Sequence, residues 1–198
     1  MWESSIVART DAEFIQGKYY HVYNRGCDRQ DIFKEERNYK FLLNLVAGTL
    51  ASNRIAMIAY CLMPNHFHFV IRQETERPLS VDMQQIFNRY VKAFNELYHR
   101  RGTLFEERFK AKVIDSEEYL IYLCRYVHRN PLEARLVSAL EDWRFSDYLE
   151  WIGKRKRGFG SEIIWNTYVP SPAEYSRFVL EYEPPDELVK KLRKIYLD

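Results

Sequence analysis

The spacing of apolar and polar positions changes along this chain, and the changes mark its elements. Lys18-Tyr-Tyr-His-Val-Tyr23 is dense in β-forming residues and predicts a strand, with Asn24-Arg25-Gly26 as the turn after it. Over 37–52, Phe41, Leu42, Leu45, Val46 and Leu50 recur at helical spacing. Arg54 to Met63 is almost wholly apolar, the mark of a central strand. Pro64-Asn65 makes a tight connection, and 66–73 returns as the next strand of a hairpin. Helical spacing resumes over 80–100, with Ser80 as N-cap and a stop before Gly102. An extended segment runs from Thr103 to Ile114. A further helix covers about 116–129, opened by acids in its first turn and ended by Pro131, which biases Asn130 away from helical angles. The order β, α, β, β, α, β, α describes an α+β domain with one mostly antiparallel sheet and helices packed on it.

After Trp143 the character changes. A polar loop is followed by Ser171-Pro172, a cap with proline at the first helical position, and Pro184-Pro185-Asp186 separates that helix from a charged one over 187–197. This predicts a domain over 1–160 and a C-terminal helical appendage over 161–198.

Composition narrows the class. The 198 residues are 46% hydrophobic and 16% aromatic, enough for a sizeable core. No apolar run reaches the ~20 residues of a membrane span, and the amino end lacks the pattern of a secretory leader, so a cytoplasmic protein is the expectation. Cys27, Cys61 and Cys124 have no paired spacing, which argues against a disulfide framework and a thiolate metal site. Net charge is only +2, but 89–157 carries 15 Lys and Arg against 11 Asp and Glu. Within it stand Arg108, Lys110 and Lys112, and the uninterrupted run Lys154-Arg155-Lys156-Arg157 between two glycines. Such a run either meets phosphates or is a solvated loop.

The candidate chemistry begins at Met63-Pro-Asn-His-Phe-His-Phe-Val-Ile71. In a strand, His66, His68 and Val70 look one way and Phe67, Phe69 and Ile71 the other. The two histidine Cα atoms then lie roughly 6.8 Å apart, close enough for both rings to reach one ion or one phosphate. An H-x-H pair can equally be packed and hydrogen-bonded. On the helix, Tyr122, Tyr126 and Asn130 recur one turn apart, and Tyr119 shares their face. Two imidazoles and an amide oxygen make a partial octahedral set suited to Mg²⁺ or Mn²⁺ rather than a closed zinc site. A tyrosine nucleophile, with an ordinary pKa of about 10, needs help from the ion or from a cation such as Arg125 or Arg129. Spacing does not choose among the three tyrosines.

Tyr60-Cys-Leu-Met-Pro-Asn-His-Phe-His-Phe-Val70, the stretch Gly102-Thr-Leu-Phe-Glu-Glu-Arg-Phe-Lys110, and Tyr126-Val-His-Arg-Asn-Pro131 together resemble the single-tyrosine HUH transposases, in particular the REP-associated tyrosine transposases. The likeness covers about residues 17 to 150. It implies that His66, His68 and Asn130 are metal ligands, that Tyr126 is the nucleophile, and that the sheet is ferredoxin-like, as in RRM domains. It also implies cleavage and rejoining of single-stranded DNA through a 5′-phosphotyrosine link, with Mg²⁺ or Mn²⁺ as cofactor and no ATP. DNA hairpins would be held by Arg108, Lys110, Arg129 and Lys154, Arg155, Lys156 and Arg157. Some relatives are homodimers that share active sites and others are monomers, so both states stay open.

Exposed Trp143, Phe145 or Trp151 would serve base stacking in such an enzyme, though core packing is the commoner fate of these residues. A non-catalytic nucleic-acid-binding module with the same sheet is the alternative. A two-histidine phosphoesterase would want a second H-x-H or H-x-T element, and the sequence has none.

Overall fold

The computed structural model describes residues 13–156, 158 and 171–197. Strands β1 (Tyr19–Arg25), β2 (Ile55–Met63), β3 (His66–Gln73) and β4 (Lys110–Ile114) form one sheet in the order β2-β3-β1-β4, every pair antiparallel. Helix α1 (Glu36–Leu50) connects β1 to β2, and α2 (Leu79–Leu97) connects β3 to β4. Helix α3 (Glu117–Glu133) follows β4, and a short α4 (Tyr148–Trp151), α5 (Pro172–Glu181) and α6 (Asp186–Leu197) complete the chain. This is the α+β, ferredoxin-like order that the alternation of patterns predicts.

Each face of the sheet buries its own core, because neighbouring strand residues point to opposite sides. Tyr20, Val22, Phe67, Phe69 and Ile71 pack with Leu42 and Val46 of α1 and Met83 and Phe87 of α2. Tyr23, Ala59, Cys61 and Val70 face the other way, against Leu120, Leu123 and Val127 of α3. Tyr175 and Val179 of α5 and Leu192 of α6 belong to this second core, so the C-terminal helices complete the layer that covers α3. The boundary placed at 160 falls outside the described residues.

The extended segment expected from Thr103 forms a strand only from Lys110, and three other boundaries differ from expectation, each for a local reason. Strand β1 continues through Asn24 and Arg25, which pair with Phe67 and His66 of β3. Helix α2 starts at Leu79 rather than after Ser80, because the buried Gln73 side chain accepts from the Leu79 N–H at 2.9 Å and takes the place of a cap. Helix α3 runs through Pro131 to Glu133, so Asn130 stays helical. Among the described residues no helix is long and apolar enough to cross a membrane.

Candidate active site

Strand β3 lies between β2 and β1, and its period-2 alternation turns His66 and His68 toward α3 while Phe67 and Phe69 anchor it in the first core. The two imidazoles lie edge to face, with ring centroids 5.0 Å apart. Each has its Nδ1 engaged. His66 Nδ1 lies 2.7 Å from Asn65 Oδ1, and His68 Nδ1 lies 3.0 Å from His21 Nε2 across the β1–β3 pairing. An amide oxygen only accepts, so His66 Nδ1 must donate, which leaves its lone pair on Nε2. The same tautomer is open to His68 with His21 as acceptor.

Both Nε2 atoms are buried and neither makes a hydrogen bond of good geometry; Asn130 is the polar side chain that reaches the His66 ring. Burial keeps these rings neutral. It lowers His66 to about 4, with Arg25 adding and Asn130 opposing, and holds His68 well below the ordinary histidine value. Burial, with Lys112 adding, lowers His21 to about 3. Two neutral imidazoles on one face, with buried Nε2 atoms that make no hydrogen bond of good geometry and an amide beside them, fit a divalent ion. Among the described residues no group of three His, Cys, Asp or Glu is placed to hold one, so amide, water or substrate oxygens would complete the shell.

Helix α3 supplies the other half of the site. Ser116 caps it by accepting from Tyr119 N–H at 3.2 Å, and its acidic first turn suits the helix dipole. The helix separates the three tyrosines that spacing leaves equivalent. Tyr119 is buried in the second core, where desolvation, with Asp115 adding, pushes its hydroxyl up to about 12. Tyr122 hydrogen-bonds Tyr182 at 2.6 Å. Tyr126 meets one of the paired histidines, its ring edge-on to His68 at 5.6 Å. One turn on, Asn130 Nδ2 donates to the Tyr126 carbonyl at 2.8 Å, which orients the amide whose side chain reaches His66.

A cleft of about 430 Å³ opens on this face. Arg25, Arg29, Lys110 and Glu106 line it together with Tyr23, Asn65, His66 and His68. Arg25 pairs with Glu106 at 2.7 Å. Lys110 and Lys112 share the histidine face of edge strand β4, opposite Tyr23 and His21. Arg108 lines an adjoining cleft.

The other cations expected to hold DNA lie elsewhere. Arg129 bonds Glu133 and the Val179 and Leu180 carbonyls, and Arg125 bonds those of Phe178 and Tyr182. Both guanidiniums satisfy the C-terminal carbonyls of α5, the orphan acceptors of any helix end, and so neither serves the Tyr126 phenol. Arg155 bonds the Arg144 and Ser146 carbonyls and Glu150 beside β2, and Lys154 lies 3.3 Å from Glu141. Lys156 is exposed, none of these three lines the cleft, and Arg157 lies outside the described residues. The aromatics are packing: Phe145 stacks on Tyr39 at 3.8 Å, Trp143 donates to the Leu62 carbonyl, and Trp151 is buried.

Sequence reasoning missed His21, Asn65 and Tyr23. His21 comes to His68 only through strand pairing, 47 residues away in sequence, while Tyr23 stacks on His21 at 4.7 Å and lies 6.1 Å from His68. Asn65, read only as a turn residue, also donates to the Arg29 carbonyl at 3.2 Å and accepts at its own carbonyl from Gly26 N–H at 2.8 Å. Gly26 has no room for a side chain: a Cβ there would lie 2.1 Å from the Gln30 carbonyl oxygen.

The family model described as "Transposase IS200 like" matches residues 15–130. Among solved structures, a REP-associated tyrosine transposase bound to a REP hairpin is 16% identical, with a TM-score of 0.59, over 78% of this chain and 98% of that one. A putative transposase from Deinococcus radiodurans R1 is 18% identical over 60% of this chain and 94% of that one, with a TM-score of 0.40. No curated protein sequence matches.

Proposed function

Because this chain belongs to the IS200-like transposases, we propose that it cleaves and rejoins single-stranded hairpin DNA through a transient covalent bond to Tyr126. The observation that carries the reading is the meeting of two neutral imidazoles, their Nε2 atoms orphaned, with one tyrosine of α3 edge-on to His68. The DNA substrate class is supported by the family and by the hairpin-bound neighbour of like fold.

His66, His68 and Asn130 would hold a Mg²⁺ or Mn²⁺ ion. When bound, the ion supplies positive charge beside a scissile phosphodiester, lowering the cost of the charge that builds on its oxygens. Asn65 holds His66 in the tautomer that presents Nε2, and His21, accepting from His68 Nδ1, would do the same for His68. Tyr126 attacks phosphorus through its phenol oxygen. A Tyr126 Oη–P bond forms, the P–O3′ bond breaks, and the phenol proton leaves as the 3′ oxygen gains one. One phosphodiester replaces another, so the step needs no ATP and reverses when a 3′-OH attacks the link. Arg25, Arg29 and Lys110 line the cleft and offer positive charge to the strand.

The test is a denaturing gel of the protein incubated with hairpin DNA and Mn²⁺. A band of protein with attached DNA is expected for the wild type, and its loss in EDTA and in His66→Ala/His68→Ala. No adduct in the wild type across a set of hairpins would leave a non-catalytic binding module as the reading.

A further inference from the structure

A second cleft of about 440 Å³ opens between α2 and the segment 103–109. It shares Asn24, Glu106 and Glu107 with the histidine cleft, so the two clefts adjoin. Its polar wall comes from α2, where Ser80, Gln84 and Asn88 stand at i, i+4 and i+8 and form one stripe. Its floor is apolar, made by Phe87, Phe105 and Phe109, each less than a tenth exposed. Proposed chemistry at the histidines does not use this space.

The lining selects its occupant. A row of amides over an apolar floor suits a flat, neutral ring that carries donors and acceptors along one edge. Glu106 and Glu107 line both clefts, but Arg25, Arg29 and Lys110 line the first against Arg108 in the second, so the backbone would stay mainly in the first. Nucleobases are such rings, and paired donors and acceptors of Asn and Gln match base edges. We propose that this second cleft takes one unstacked base of a nucleotide next to the scissile phosphate, and that Gln84 and Asn88 read its edge. The proposal rests on the DNA-cleaving reading, because that reading puts a strand in the adjoining cleft.

Gln84 is half-buried and Asn88 exposed, both in the middle of a helix, so Gln84→Ala/Asn88→Ala should fold at least as well as the wild type. The probe is a DNA hairpin with randomised single-stranded flanks, bound in EDTA, with the bound fraction sequenced. Wild type should enrich one base at one or two adjacent flank positions on the order of tenfold. The double variant should lose that preference and keep those at other positions. Identical preferences in the two proteins, or none in the wild type, overturn the base site and leave the cleaving reading to its adduct assay. Failure of the wild type to bind any hairpin overturns both.

Discussion

His21→Phe separates the two things this buried ring does. The substitution keeps a flat ring of similar size against His68 and Tyr23, whose centroids lie 5.1 and 4.7 Å away, and removes the ring nitrogen that lies 3.0 Å from His68 Nδ1. Losing a partner that orients a metal-binding histidine costs about 10–100-fold in metal affinity, or roughly 1.4–2.7 kcal/mol. Stability should move the other way as the solution becomes acidic. Native His21 takes up a proton only near pH 3, whereas the unfolded chain binds one below its ordinary value of 6.5. The unfolded state therefore holds more protons between those values, and native stability falls as pH drops through that window. At pH 5 the cost from this one group is about 2 kcal/mol, and phenylalanine does not incur it. At neutral pH the variant loses one hydrogen bond, about 1 kcal/mol. Calorimetric Mn²⁺ titration at pH 7 and urea unfolding at pH 7 and 5 measure both effects. Unchanged Mn²⁺ affinity would refute the orienting role, and a stability difference that does not shift toward the variant at pH 5 would refute the burial argument.

Gly26→Ala forces a Cβ against the Gln30 carbonyl and should cost about 2–3 kcal/mol in urea unfolding, with weaker Mn²⁺ binding because Gly26 also bonds the loop that carries Asn65. Lys110→Ala/Lys112→Ala should lower the salt slope of single-stranded DNA binding by about 0.7 for each phosphate that these two ammonium groups neutralise. Arg129→Ala should leave that slope unchanged and instead lower the urea midpoint, because its guanidinium holds α5. Tyr23→Phe and Tyr122→Phe should still form the covalent adduct; its loss in either, with adduct retained by Tyr126→Phe, would reassign the nucleophile.

Local signals determined much of this structure. The change from period 2 to period 3.6 located four strands and the three helices packed on them, and alternation alone put His66 and His68 on one face. Signals that depend on distant pairing were illegible. His21 reads as one more residue of a β-rich run until β1 and β3 come into register. Arg129 and Arg155 resemble DNA-binding cations in a basic region, yet each satisfies carbonyls near its own helix layer, since charge along a sequence does not say which surface it occupies. Pro131 signalled a helix end near 129, four residues before the observed end at Glu133. A proline removes an N–H, but packing of Val127 and Asn130 holds the helix beyond it, and Asn130 is thereby kept one turn from Tyr126.

In the proposed reaction the phenol of Tyr126 carries the DNA. Arg125 and Arg129 bound the peptide Tyr126-Val-His-Arg129, so complete trypsin digestion separates this tyrosine from Tyr119 and Tyr122. Nuclease trimming of the Mn²⁺-dependent adduct, trypsin digestion and mass spectrometry should find a nucleotide phosphate on that four-residue peptide, and none there in Tyr126→Phe. A nucleotide on any other peptide, with Tyr126-Val-His-Arg129 unmodified, would contradict the account.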